Sequence, residues 1–257
     1  MNPALNNRTY LVTGASRGFG LAIARALLAG GANVGMTARN GELLQGAVAE
    51  LNTDKAIGIA GDVADAEQMA GIMAQVKQHF GGFHGLVNNA GLARPANVEN
   101  IDQGELMLQI NTNFTGTVLC CKAAIPLLRG QDNPRIVNIS SASAWHYDEM
   151  YHLSIYAATK AAVERFSRDL RLELQDDGIG VSCIRPGAAW TGFADGWNPE
   201  RLSAGVAAWQ KAGPSMDQGM EPQNVAEAVL YCLSCPGGVA VDLLEVRPNR
   251  PAPKLQL

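Results

Sequence analysis

Thr9-Tyr10-Leu11-Val12-Thr13-Gly14-Ala15-Ser16-Arg17-Gly18-Phe19-Gly20 is the stretch on which the fold turns. Residues 9–12 are β-branched, aromatic or aliphatic and predict a buried strand. Residues 18–29 predict a helix stopped by Gly30-Gly31. Between them, glycines spaced G-x-x-x-G-x-G occupy a strand-to-helix turn, where a dinucleotide pyrophosphate meets a helix N-terminus. Gly14 permits the sharp turn, Gly18 lets backbone approach the phosphate, and Gly20 lets the helix pack on the strand. Three glycines alone are weak evidence, the alternative being a plain strand–helix connection, so the rest of the chain has to decide.

Working outward, short β-type runs alternate with helical ones. Strands are expected at 33–37, 56–60, 86–88, 135–139, 181–184 and 239–246, and helices at 41–51, 65–80, 103–128, 154–175 and 222–233. This alternation predicts an α/β chain, a doubly wound Rossmann fold with a seven-stranded parallel sheet flanked by helices on both faces. One domain, 1–257, is expected, with no repeat or linker. Residues 188–220 break the rhythm with Gly, Trp and Pro and read as an irregular substrate lid.

The chain has 257 residues, 47% of them hydrophobic and 17% charged, which suits a sizeable core rather than a disordered segment. Its 28 glycines exceed the usual ~7% and point to tight turns or close ligand approach. The net charge of −4 and the lack of a basic stripe argue against nucleic-acid or anionic-membrane partners. No apolar run nears the roughly 20 residues of a membrane span, and the first residues carry no signal-peptide pattern. Five cysteines, an odd number, fit a reducing cytoplasmic setting; Cys232-x-x-Cys235 lacks a second pair and is read as core or surface thiols. His146 and His152 flank Asp148 and Glu149 in one loop, but without a third convergent ligand no metal is expected.

The end of the second strand reads Met36-Thr37-Ala38-Arg39, where an NAD-binding fold would place an acid on the ribose. Arg39 there, with Arg17 in the glycine loop, can clamp a 2′-phosphate; the alternative is two solvated surface arginines. In Tyr156-Ala157-Ala158-Thr159-Lys160, phenol and ammonium share one helix face. A free phenol near pKa ~10 is a poor proton shuttle at neutral pH, and a nearby cation lowers that value. Tyr147 and Tyr151 have no Lys four residues on, which singles out Tyr156. The fifth strand delivers Ser140 and Ser141 to the carboxyl edge of the sheet, where ligands of open α/β sheets bind.

Together these motifs resemble the short-chain dehydrogenase/reductase family over roughly the first 235 residues. The matching segments are Thr13-Gly14-x-x-x-Gly18-x-Gly20, Asp62-Val63, Asn88-Asn89-Ala90-Gly91, Asn113-x-x-Gly116, Ser141, Tyr156-x-x-x-Lys160 and Pro186-Gly187-x-x-x-Thr191. The resemblance implies a catalytic set of Asn113, Ser141, Tyr156 and Lys160. Tyr156 would be the acid in reduction and the base in oxidation, and Ser141 would polarise the carbonyl. Lys160 would lower the phenol pKa and hold the nicotinamide ribose, and Asn113 would position a water in a proton relay. It also implies an NADP(H) site. Gly14, Ser16, Arg17, Gly18, Phe19 and Gly20 would lie at the phosphates, and Arg39 at the 2′-phosphate. Asp62 and Val63 would lie at the adenine, with Asn88, Ala90 and Gly91 beneath the nucleotide. Pro186, Gly187, Ala189 and Thr191 would approach the nicotinamide.

Ser141 to Tyr156 is two residues longer than the family interval, so either the loop carries an insertion or Ser143 is the catalytic serine; Ser141 is favoured because it follows the strand directly. His84 stands where relatives often have Asp, and the last strand leads to Arg247-Pro248 instead of the common Asp-Gly-Gly. Ser143, Trp145, Tyr151, Trp190, Phe193 and Trp197 are expected to contact substrate, which implies a bulky apolar, aromatic or alicyclic carbonyl or alcohol. The same aromatics could instead fill core or a subunit interface. No arginine lies in 188–200 to clamp a carboxylate. Family membership implies a homodimer or homotetramer built on helices 103–128 and 154–175. The competing functions are a catalytically silent NADP(H) sensor or scaffold, and an epimerase or dehydratase of the same family.

Overall fold

In the computed structural model, which describes residues 4–146 and 151–252, β1 (Thr9–Thr13) is buried along its whole length at the centre of the sheet. It pairs in parallel with β2 (Asn33–Ala38) on one side and β4 (Gly85–Asn88) on the other. The seven strands run β3-β2-β1-β4-β5-β6-β7, with β3 at Ala56–Ala60, β5 at Arg135–Ile139, β6 at Gly180–Pro186 and β7 at Leu243–Val246. All pairings are parallel. This is the expected Rossmann-type α/β fold.

Period-two alternation divides the core between the two faces. Tyr10, Val12, Val87, Val137 and Ile139 point to one cluster, with α1 (Gly18–Ala29), α2 (Gly41–Leu51) and α8 (Pro222–Leu233). Leu11, Leu86 and Ile136 point to the other, with α3 (Ala66–Phe80), α5 (Gly116–Leu128) and α6 (Ser154–Glu173). The strand order reverses between β1 and β4, which opens a crevice above their carboxyl ends.

Most element ends fall within two residues of expectation, and three departures are larger. The helix anticipated over 103–128 is α4 (Gln103–Ile110), a π-helical turn (Asn111–Thr115) and then α5. The π turn inserts at Asn113, a common device at functional sites. The irregular stretch 188–220 contains α7 (Pro199–Ala212), whose cap Asn198 accepts from the amides of Glu200 and Arg201. Asn-Pro-Glu is an N-cap, a proline suited to the first turn and an acid, a start signal masked by the surrounding Gly and Trp. The last strand pairs only over Leu243–Val246 instead of 239–246, because Val239 turns back to bond Pro236 and to accept from Arg135.

Candidate active site

The glycine loop lies at the reversal point. Gly14 (φ +63°) and Gly18 (φ +56°) adopt left-handed conformations. A Cβ on Gly14 would come within 2.9 Å of Ala90 Cα, and one on Gly20 would strike the Gly14 carbonyl oxygen. Asn89 Nδ2 donates to the carbonyls of Thr13 (2.8 Å) and Gly14 (3.2 Å), while Thr13 Oγ1 accepts from the amides of Asn89 and Ala90, both at 3.0 Å. These bonds lock the loop to the end of β4. Arg17 at the N-cap of α1 makes no side-chain capping bond, and the first turn holds no acid, which leaves an amide-lined, positively polarised end.

A cavity of about 640 Å³ runs along this edge. Gly14, Ser16, Arg17, Gly18 and Phe19 form one wall, with Arg39 and Val63 beyond them. Ala90, Gly91, Pro186, Gly187, Ala189 and Thr191 also line the cavity, with Thr191 close against Gly18. Three expected contacts do not line it. Gly20 is buried under the loop, Asp62 Oδ1 caps the amide of Ala64 at 2.9 Å, and Asn88 is buried, donating to Asn138 Oδ1 at 2.8 Å. Asn89 reaches the loop instead. The glycines, the open helix end and the basic rim together fit a dinucleotide. Arg39 is exposed on that rim, and Arg17 is paired with Asp195 at 2.6 Å.

At the other end of the cavity stand Tyr156 and Lys160, 9% and 4% exposed. Lys160 Nζ lies 5.9 Å from the Tyr156 ring centroid and donates to the Ile139 carbonyl at 2.8 Å. Burial pushes its pKa down to about 8. Ser141 and Ser143 both line the cavity; Ser143 donates its hydroxyl (2.9 Å) and its amide (3.3 Å) to Ser141 Oγ. Asn113 is fully buried, and its side chain bonds both backbone groups of Leu92, at 2.9 and 2.8 Å, and Thr159 Oγ1 at 3.0 Å. A Cβ on Gly91 would sit 3.1 Å from Lys160 Nζ and 3.4 Å from Asn113 Oδ1, so the absence of a side chain there keeps the lysine and the asparagine adjacent.

The aromatic residues divide. Phe193 and Trp197 line the cavity, with ring centroids 5.2 Å from Tyr156 to Phe193 and 5.7 Å from Phe193 to Trp197. Trp145 is 69% exposed and stacks outside over Arg185. Trp190, 68% exposed, lies against Gly219 beside a second, smaller hollow. The Tyr151 hydroxyl donates to the Ala212 carbonyl at the end of α7. Sequence reading missed Arg94, Leu153 and Met216 in the cavity wall. Arg94 comes from the loop after β4, Leu153 from the residue before α6 and Met216 from beyond α7, and no local motif marks any of the three.

Among the described residues no cluster of three or more His, Cys, Asp or Glu could hold a metal. His146 pairs with Glu245 at 2.6 Å, His152 stands apart from it in the chain, and Asp148 and Glu149 lie outside the described residues. All five cysteines are buried and unbridged. No described helix is long and apolar enough to cross a membrane.

A family model described as short chain dehydrogenase matches residues 8–202. An uncharacterized oxidoreductase of Staphylococcus aureus is 32% identical over 244 residues, covering 95% of this chain and 98% of the relative. An alcohol dehydrogenase from the archaeon Thermococcus sibiricus, complexed with 5-hydroxy-NADP, superposes with a TM-score of 0.79 at 26% identity, covering 96% of this chain and 99% of the other. A 3-ketoacyl-(acyl-carrier-protein) reductase from Brucella melitensis, complexed with NADH, gives 0.81 at 26% identity with the same coverage.

Proposed function

The chain belongs to the short-chain dehydrogenase family and is an oxidoreductase, and on that premise we propose that it interconverts a secondary alcohol and a ketone with NADP(H). The observation that carries this reading is the burial of Tyr156 and Lys160 side by side in the cavity that also holds the glycine loop.

A bound nicotinamide supplies or accepts the hydride. Tyr156 gives its phenol proton to the carbonyl oxygen in reduction and takes it back in oxidation. The Lys160 cation stabilises the phenolate left behind, and its pKa near 8 keeps it largely charged at neutral pH. Ser141 follows β5 directly and its Oγ accepts the Ser143 amide, which supports Ser141 as the hydroxyl that polarises the substrate carbonyl. Asn113 positions the floor of the site through Leu92 and Thr159.

Arg39, with no acid beside it at the end of β2, supports the 2′-phosphate form of the cofactor, joined by Arg17 when that side chain leaves Asp195. Phe193 and Trp197 support a substrate with an apolar ring beside its carbonyl. The exposed small residues Ala158 and Ala161 on α6 support assembly of the chain as a homodimer or homotetramer.

The test is nicotinamide absorbance with NADPH and, separately, NADH against small keto acids, aryl ketones, alicyclic ketones and steroid-like ketones. NADPH-dependent turnover of ring-bearing ketones is expected. Turnover with NADH alone would overturn the cofactor assignment. A preference for the smallest ketones would overturn the apolar pocket. Tight NADPH binding with no turnover of any member would favour a sensor.

A further inference from the structure

The substrate end of the cavity carries a cation that no role assigned above uses. Arg94 lies on the loop after β4 and lines the cavity, its side chain 24% exposed. Four hydrogen bonds fix that loop at the catalytic end. Leu92 is held by Asn113, the Arg94 amide donates to Gln109 Oε1 at 3.1 Å, and the Ala96 amide donates to the His152 carbonyl at 3.0 Å, four residues before Tyr156. Arg94 is thereby separated from Arg17 and Arg39, which stand at the β1 and β2 end.

Its charge is only loosely balanced. Arg94 Nη1 donates to the carbonyl of Ala93 at 2.9 Å, and its remaining donors have no hydrogen-bond acceptor among the described residues. Glu105 Oε1 is 4.0 Å from Nε, beyond hydrogen-bond range. The other oxygen, Oε2, is taken by Arg201 of α7 in a close ion pair, so two guanidiniums share one carboxylate. Asp195 is the one acid lining the cavity among the described residues, and it is paired with Arg17. A half-buried guanidinium with open donors favours a planar anion that it can bind with two parallel bonds.

We propose that Arg94 is a specificity residue that selects carbonyl substrates carrying a carboxylate, so that the preferred substrate joins an apolar ring to an anionic end. This rests on the carbonyl-reducing reading above and narrows its substrate class. It also revises the expectation drawn from residues 188–200, because the clamping arginine comes from a different loop.

The test compares 4-acetylbenzoate with its neutral amide, and benzoylformate with its methyl ester, in the wild type, Arg94→Gln and Arg94→Lys. In the wild type each carboxylate should have the higher kcat/KM by about tenfold or more. Arg94→Gln should erase that preference by raising KM for the acids, while kcat/KM for the neutral partners stays within about twofold. Arg94→Lys should keep part of the preference as a point charge. Equal or better turnover of the neutral partners by the wild type would overturn the inference and leave the oxidoreductase reading standing. An equal loss on acids and neutrals in Arg94→Gln would assign Arg94 a structural role and overturn it too. No turnover of any member with NADPH or NADH would overturn the ketone reading and this inference together.

Discussion

Arg185 and Glu164 form a two-pronged ion pair between β6 and α6, with Nε to Oε1 at 2.8 Å and Nη2 to Oε2 at 2.6 Å. Glu164 follows Lys160 by one helical turn, and its Oε1 also accepts the hydroxyl of Ser140, the neighbour of Ser141. The third prong of Arg185, Nη1, reaches Glu245 of β7 at 2.9 Å. The helix that carries Tyr156 and Lys160, the strand that leads to Ser141 and the last strand are thus fastened at Arg185, a residue 8% exposed. Arg185→Leu would leave the mostly buried Glu164 carboxylate without its cation, while Glu245 keeps His146 and Arg247. Urea unfolding should show a loss of about 3–5 kcal/mol, partly restored in the double variant with Glu164→Leu. A single variant as stable as the wild type would contradict this account of the pair.

The buried thiols set the alkaline limit of stability. Burial raises Cys120 far above its ordinary value, Cys121 and Cys183 to about 12, and Cys232 to about 11. A group whose folded pKa is raised contributes fully below its unfolded pKa and loses that contribution as pH climbs, here from ~8.5 toward 11–12. Lys160 has the opposite sign: its folded pKa near 8 is depressed, so its burial cost is relieved as pH rises from 8 toward ~10.4. Four thiols against one lysine leave about three uncompensated protons, a fall of roughly 4 kcal/mol per pH unit at most. Urea midpoints should therefore drop between pH 8 and 10, with a shallower drop in Cys121→Ala. A midpoint that rises over this range would show that the lysine dominates.

Lys160 should also shape the pH profile of activity. The kcat/KM for the dinucleotide reports the free enzyme, in which Lys160 is charged below and neutral above about pH 8. That ratio should be level below this value and fall tenfold per pH unit above it. Lys160→Arg, which keeps its charge at all these pH values, should lack the fall whatever its absolute rate. A level wild-type profile to pH 9.5 would remove Lys160 from the proton chemistry.

Cofactor choice is expected to rest on Arg39 at the open end of β2. Arg39→Asp places a carboxylate where a 2′-phosphate would lie and a ribose hydroxyl could donate. The Kd for NADPH should rise by about tenfold or more while that for NADH falls. Fluorescence titration with both dinucleotides measures this, and unchanged discrimination would show that Arg39 is a solvated side chain.

The sheet was largely legible because buried parallel strands and capped helices leave local marks: β-branched runs, glycine stops and an Asp65 cap that holds the amides of Glu67 and Gln68. The glycine-loop edge of the cavity was legible for the same reason, since the stretch from Thr13 to Gly20 is contiguous. The π-helical turn at Asn113 left no mark, because a slip in backbone pairing changes no residue type. Residues brought in from distant loops were the hardest to foresee. Arg94 reaches the site only through the bonds of its loop to Asn113, Gln109 and His152. Trp145 lies close to Ser141 in sequence but turns outward onto Arg185, whereas Trp197, much farther along, packs beside the Phe193 ring that faces Tyr156.

Proton transfer by Tyr156 is read out by measuring ketone reduction and NADPH binding side by side in the wild type and in Tyr156→Phe, which keeps the ring against Phe193 and removes only the hydroxyl. The prediction is a loss of turnover of about 10²–10⁴-fold with NADPH affinity within about threefold of the wild type. A Tyr156→Phe protein that reduces the same ketone within a few-fold of the wild-type rate would contradict it.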